Sequence, residues 1–329
     1  MNLGFPPIRK WLNTMLGNNV AVTRAEADRP LIESLERRVL LSVTVAGGVL
    51  TIDNTVDGSG GGEAYVLSDT GIDGEVTVTG DNITTDQTHV GVNSIMMILG
   101  NNGNSVTIAD NLTRANGSTQ ILAITVGNGG DTYVVGDSRN TVNAGTGDDT
   151  ITGGSKNDII NGGAGNDAID GGADNDNVDG MTGDDTITDP AGINTLNGSI
   201  GNDAITGGTG ADTINGARGD DTIAGGDGND VISGGIGSDT IMGDDGLDTI
   251  NGGRGDDTLN GDDDNDTING NDGNDTIVDT VGNNTVDAGA DNDTITTGPG
   301  NDTVDGGTGT DTHTSGGGSD TIVNVETLL

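Results

Sequence analysis

The sequence has no cysteine, and its 329 residues include only one Trp, two Tyr and one Phe. The first absence excludes a disulfide framework, a thiolate metal site and a thiol nucleophile. The second excludes an ordinary globular interior, because aromatic rings supply much of the area that a core buries. Lysine occurs twice (Lys10, Lys156) and histidine twice (His89, His313). That leaves little material for a phosphate-binding loop, a lysine Schiff base, an imidazole-rich zinc site or a His-based triad. Neither His-Glu-x-x-His nor Gly-x-Ser-x-Gly occurs, so the chain is not expected to be an enzyme. No uninterrupted apolar run approaches the roughly 18 residues of a membrane span, so no transmembrane segment is expected.

Glycine and aspartate fill the space left by these absences. There are 62 glycines, and 53 acidic residues stand against 11 basic ones, for a net charge of −42. Such a chain is a poor partner for nucleic acid or anionic lipid and a good one for cations. The charge is uneven. Residues 1–42 hold six basic and four acidic side chains, whereas residues 144–323 hold 37 Asp, no Glu and three basic residues (Lys156, Arg218, Arg254). Disordered acidic tracts favour Glu, Pro, Ser and Lys. An all-Asp tract points to a positional task for the short carboxylate.

The position is set by a repeat. From Ala144 to Val323 the chain divides into twenty nine-residue units with no insertion or deletion, as in Gly225-Gly-Asp-Gly-Asn-Asp-Val-Ile-Ser233. Position four is Gly in 16 units, position six Asp in 18, position seven Thr in 15, and position eight Ile, Val or Leu in 19, with His313 the exception. Glycines at positions one, two and four are expected to supply backbone angles closed to other residues, making a tight turn. Positions seven to nine read as a minimal strand, β-branched out, aliphatic in, polar out. One short strand per turn describes a parallel coil in which two units make an 18-residue winding. Ten windings at about 4.8 Å each give a rod of about 48 Å. One aliphatic side chain per nine residues does not offset the entropy of ordering them, and Asp recurring at the same height repels itself. A cation between the windings is therefore expected. The ligands on offer are carboxylate and backbone carbonyl oxygens on glycine loops, a donor set that favours Ca²⁺ over Zn²⁺, Cu²⁺ or Mg²⁺.

This unit resembles the Gly-Gly-x-Gly-x-Asp-x-aliphatic-x nonapeptide of the RTX (repeats-in-toxin, haemolysin-type) proteins. The resemblance covers residues 126–329 and implies an all-β fold, a parallel β-roll whose turns bind Ca²⁺ between successive windings. Carried onto this sequence, it implies side-chain ligands at Asp149, Asp158, Asp167, Asp176, Asp185, Asp203, Asp212, Asp221, Asp230, Asp239, Asp248, Asp257, Asp266, Asp275, Asp293, Asp302, Asp311 and Asp320, with Asp131 in the upstream extension. The pattern is broken at position six by Asn194 and Asn284, and at position four by Lys156, Asp174, Asp264 and Asp291. Odd and even units place their turns on opposite edges. Both Asn replacements fall in even units, so same-edge Asp pairs 18 apart number nine on the odd edge and five on the even. That predicts 14 strong sites, or 15 with Asp131.

The remaining segments read differently. Residues 43–125 show β-like runs such as Glu75-Val-Thr-Val-Thr and Ile95-Met-Met-Ile-Leu between Gly, Asn and Asp turns, and are expected to form an N-terminal β cap or a degenerate part of the coil. Residues 1–42 read as a basic leader. Leu35-Glu-Arg-Arg-Val-Leu-Leu41 resembles the Leu-Glu-Pro-Arg-x-Leu-Leu motif of bacterial surface proteins, with Arg37 where Pro is usual. At the other end, Glu326 before Leu328 and Leu329 is acidic-then-hydrophobic, as export signals of RTX proteins often are. The expected function is a secreted or cell-surface calcium-binding repeat protein with a structural or adhesive role and a cell-surface or matrix partner. The alternative is a repeat component of an RTX toxin or exoenzyme system acting with a separate catalytic or lytic chain.

Overall fold

The computed structural model describes the backbone of strands between residues 42 and 125, the side chains of 124 and 125, and residues 128–328 apart from 137 and 138. The expected leader and its surface-protein motif lie outside the described residues. Two sheets run the length of the described chain, one of fifteen strands and one of sixteen. Even units supply the first and odd units the second. Within the repeat every strand is parallel to the one 18 residues away: Thr213 pairs with Val231 and Val231 with Thr249, while Ile223 pairs with Ile241 and Ile241 with Leu259. The result is the expected parallel β-roll, with about eleven windings of 18 residues.

The core follows from the alternation. Position seven faces out and position eight faces in, so each sheet contributes one column of aliphatic side chains. Ile151, Ile169, Ile187, Ile205, Ile223 and Ile241 line one column at 0–3% exposure, and Ile160, Val178, Leu196, Ile214, Ile232 and Ile250 line the other. β-Branched residues suit this narrow interior because their χ1 is already restricted. The core is only these two columns wide.

Two features differ from expectation. Most strands of the even sheet, and two of the odd, are six residues long, not three: Thr213–Arg218, Val231–Ile236 and Thr249–Arg254 run on through position one into position three of the next unit. In these units position one is therefore inside a strand and faces inward. Its glycine is also not there for its backbone angles, because none of these glycines has a positive φ, whereas nearly all of those at positions two and four do. It is there for space. A Cβ on Gly234 would strike the Asp239 carboxylate and stand 2.8 Å from the Gly252 carbonyl of the next winding. At position four, Asp174, Asp264 and Asp291 take up the left-handed angles themselves (φ 67°, 83° and 81°), so the turn survives without glycine. Asp tolerates this region better than most residues. Lys156 is not among the positive-φ residues. It pairs instead with Asp174 of the next winding at 3.3 Å.

Upstream strands join the same sheets on other spacings. Val49–Asn54 lies parallel to Ser94–Leu99 at an offset of 45 residues, and Ser94–Leu99 to Ile121–Thr125 at 27. The side chains that decide what this region covers lie outside the described residues. Gly234→Ala should destabilise the roll by about 1–3 kcal/mol, the usual cost of an extra methyl in a full site. Thr240→Ala on the exposed face should cost under about 1 kcal/mol. Denaturant melts in saturating calcium would compare them, and equal stabilities would show that position one has room.

Candidate metal centre

The position-six aspartates form two continuous ladders, one along each edge. From Asp149 to Asp311 they are all 0–3% exposed, as is Asp131. One oxygen of each is committed to the backbone: Oδ1 accepts the N–H of the position-six residue 18 earlier. Asp221 N–H donates to Asp239 Oδ1 and Asp239 N–H to Asp257 Oδ1, both at 2.8 Å. The ladder begins with Asp131 N–H on Asp149 at 2.6 Å and Asn140 N–H on Asp158 at 2.6 Å. It is not broken at the two amides. Asn194 Oδ1 accepts from Asp176 N–H at 2.9 Å, and Asn284 Oδ1 from Asp266 N–H at 3.0 Å.

The second oxygen is different. Oδ2 is buried without a hydrogen-bond partner at Asp149, Asp158, Asp167, Asp176, Asp185, Asp203, Asp212, Asp221, Asp230, Asp239, Asp248, Asp257, Asp266, Asp275, Asp293, Asp302 and Asp311. Where position one is glycine, Oδ2 points over that residue of its own unit, and in most of these units the carbonyl of the next winding also arrives there. Around the point that a Cβ of Gly225 would occupy, Asp230 Oδ2 and Gly243 O both lie at 2.6 Å. Around the same point of Gly243, Asp248 Oδ2 lies at 2.5 Å and Gly261 O at 2.7 Å. Among the described residues no three acidic or imidazole side chains converge on one place. A cation there would draw one carboxylate oxygen from a turn and the rest from backbone carbonyls. This hard, oxygen-only set fits Ca²⁺. A bound ion supplies the positive charge that these oxygens lack and ties one winding to the next.

Residues 125–158, 152–187, 191–223, 206–241, 216–250, 242–277 and 278–313 match the RTX calcium-binding nonapeptide repeat. The chain belongs to this family. It is an RTX calcium-binding repeat protein with an Asp-rich β-roll. No curated protein matches the chain.

Burial dominates the electrostatics of the RTX turns. It pushes Asp149, Asp185, Asp221, Asp248 and Asp257 up to about 7, and Asp158 to about 8. The donated backbone N–H opposes that shift, and neighbouring carboxylates add to it. Asp320 stands apart. Ser315 donates to its Oδ2 at 2.5 Å and Asp302 N–H to its Oδ1 at 3.1 Å, so both oxygens are engaged and its pKa is lowered, chiefly by the Ser315 bond.

Several contacts of the RTX roll escaped the sequence reading. Position five carries a second, exposed ladder in the opposite sense: its side chain accepts from the N–H 18 residues later, as in Asp184 to Asn166, Asn202 to Asp184 and Asp220 to Asn202. The abundance of Asn and Asp at that position was the available signal. Glu326 ends the odd-edge ladder, its Oε2 accepting from Asp311 N–H at 2.8 Å. Buried His313 meets the Thr297 hydroxyl at 2.9 Å through Nε2. Arg254 lies 3.6 Å from Asp272 on the exposed face, a contact worth little.

With metal removed, the folded pKa values near 6–8 exceed the ordinary 3.8, so the folded state holds more protons between about pH 4 and 8. Its stability should then fall as pH rises through that window, with the penalty absent below about pH 4. In chelator the β signal should be stronger near pH 5 than near pH 8 by circular dichroism. Calcium affinity should rise over the same interval as fewer protons compete. A metal-free roll that gains structure toward pH 8 would have the opposite sign and contradict the burial argument.

Proposed function

We propose that the chain is a non-enzymatic, secreted or surface-associated protein with a structural or adhesive role, whose RTX roll folds when it meets extracellular calcium. The observation that carries this reading is the column of buried carboxylate oxygens without partners. An isolated buried charge is so costly that a chain holding one in nearly every nine residues stays open until a cation arrives. Cytosolic calcium is too low to load sites of the affinity usual for extracellular modules, roughly 10⁻⁴–10⁻³ M. The chain would remain extended where it is made and compact where calcium is abundant. RTX repeat proteins are typically secreted, which agrees with this order of events. Among the described residues no helix is long and apolar enough to cross a membrane.

A calcium titration followed by circular dichroism tests the proposal. The β signal should grow as calcium rises, most of it in one transition, and vanish in excess chelator at neutral pH. A chelated sample with its full β spectrum would end it. Single substitutions sharpen the test. Asp239 has a neighbour on each side and an unpartnered Oδ2, whereas both Asp320 oxygens are already bonded. Asp239→Ala should raise the calcium midpoint and divide the transition into two blocks, while Asp320→Ala should only fray the end. Equal midpoint shifts would argue against ions shared between stacked windings.

A further inference from the structure

Position one is glycine in fourteen of the twenty units, and the other six residues are Ala144, Asp189, Asp279, Ala288, Thr297 and Ser315. A carboxylate stands there twice. Both instances fall in the units whose sixth residue is Asn: Asp189 with Asn194, and Asp279 with Asn284. Twenty units taken two at a time give 190 pairs, so unrelated placement would produce this match about once in 190.

Asp189 and Asp279 are 1% and 0% exposed. No hydrogen bond of acceptable geometry reaches any of their four carboxylate oxygens, although the Ala191 and Val281 amides lean toward them. Each side chain reaches back to the winding before it. Asp279 Oδ2 and Asp266 Oδ2 both lie 2.5 Å from the point that a Cβ of Gly261 would occupy. Over Gly171 the same point is met by Asp189 Oδ2, with Asp176 Oδ2 at 3.2 Å. In an ordinary unit that point is shared by one carboxylate oxygen and one backbone carbonyl. Here it is shared by two carboxylates.

We propose that Asp176 with Asp189, and Asp266 with Asp279, form two Ca²⁺ sites of two carboxylates each, in which the position-one aspartate stands where ordinary windings offer a carbonyl. The charge missing at Asn194 and Asn284 is thereby carried one winding upstream. The even edge keeps its carboxylates and redistributes them. The amide completes the exchange: the β-carbon of Asp189 fills its own unit's pocket, and a second carboxylate at position six would crowd it with like charge. Asn284 Nδ2 donates instead to the Val281 carbonyl at 2.9 Å.

Two facing buried carboxylates must share either a proton or a cation. A divalent cation satisfies both groups at once, and affinity in oxygen-ligand sites rises with the number of charged ligands. These two sites should therefore be the last to empty.

The inference rests on the reading of the roll as calcium-folded, and one experiment separates the two. The full chain is equilibrated against a series of calcium–chelator buffers, and bound calcium per chain is counted by elemental analysis. The wild type should retain two ions, with the windings that hold them still folded, after the rest of the array has emptied. Asp189→Asn should retain one, and the Asp189→Asn/Asp279→Asn double variant none, with circular dichroism at saturating calcium reporting that each variant is folded. Should those variants fail to fold, the exchange Asp189→Gly/Asn194→Asp restores a regular unit, and it should fold and lose one tightly held ion. A double variant that keeps both ions overturns the paired sites. So does a wild type that releases every ion in one step, or a regularised unit that keeps its tight ion. A wild type that binds no calcium at all overturns the calcium-folded roll itself.

Discussion

A buried carboxylate in nearly every nine residues is the constraint on which the rest of the roll depends. One oxygen can be satisfied by a backbone N–H of the neighbouring winding, and it is, from Asp149 through Asp311. The other has no protein donor within reach. Everything around it makes room for a positive charge. Position one loses its β-carbon because that atom would sit among the oxygens. Most turns are wound from positive-φ residues at positions two and four, which bring successive windings into contact. The strands stack in strict parallel register because each aspartate accepts through its carboxylate from the N–H 18 residues earlier and donates its own N–H to the carboxylate 18 residues later. The two aliphatic columns fill what interior remains, and they are too thin to dictate this geometry alone.

The architecture was legible because nothing interrupts the period. A unit of nine, with one inward Ile, Val or Leu and one Asp, leaves few arrangements other than two parallel sheets joined by turns, and the observed register of 18 follows. Which residues are special was also legible. What each touches was not, because contacts here join residues a winding apart and the pattern within a unit is silent about them. Glycine at position one looked like a turn residue, yet in most units it lies in a strand, and it is needed for space. Asn194 and Asn284 looked like gaps, yet their amide oxygens continue the ladder. Glu326 looked like part of an export signal, and in the fold it closes the odd-edge ladder.

Departures from the consensus are rarely alone. His313, in a column of aliphatics, finds the hydroxyl of Thr297, itself a replacement for glycine. Burial lowers its pKa, against the opposing pull of the Asp320 and Asp302 carboxylates. Lys156 and Asp174, both at position four, lie on successive windings of one edge. Ser315, another position-one replacement, supplies the donor that Asp320 uses. A repeat tolerates change where the change brings its own partner, because an unmatched polar group in so narrow an interior has no water to turn to.

These matched irregularities also give the chain an address system. Identical windings can stack in any order, and a sheet of repeating strands specifies its alignment weakly. If the winding that holds Asp174 were skipped, Lys156 would face Gly192 and lose its counter-charge. If the winding that holds Asp189 were skipped, Asp176 would meet a glycine in its place. Each mismatch penalises a looped-out winding that the consensus alone would let pass. The irregular units are therefore the marks by which an otherwise periodic polymer counts its own turns.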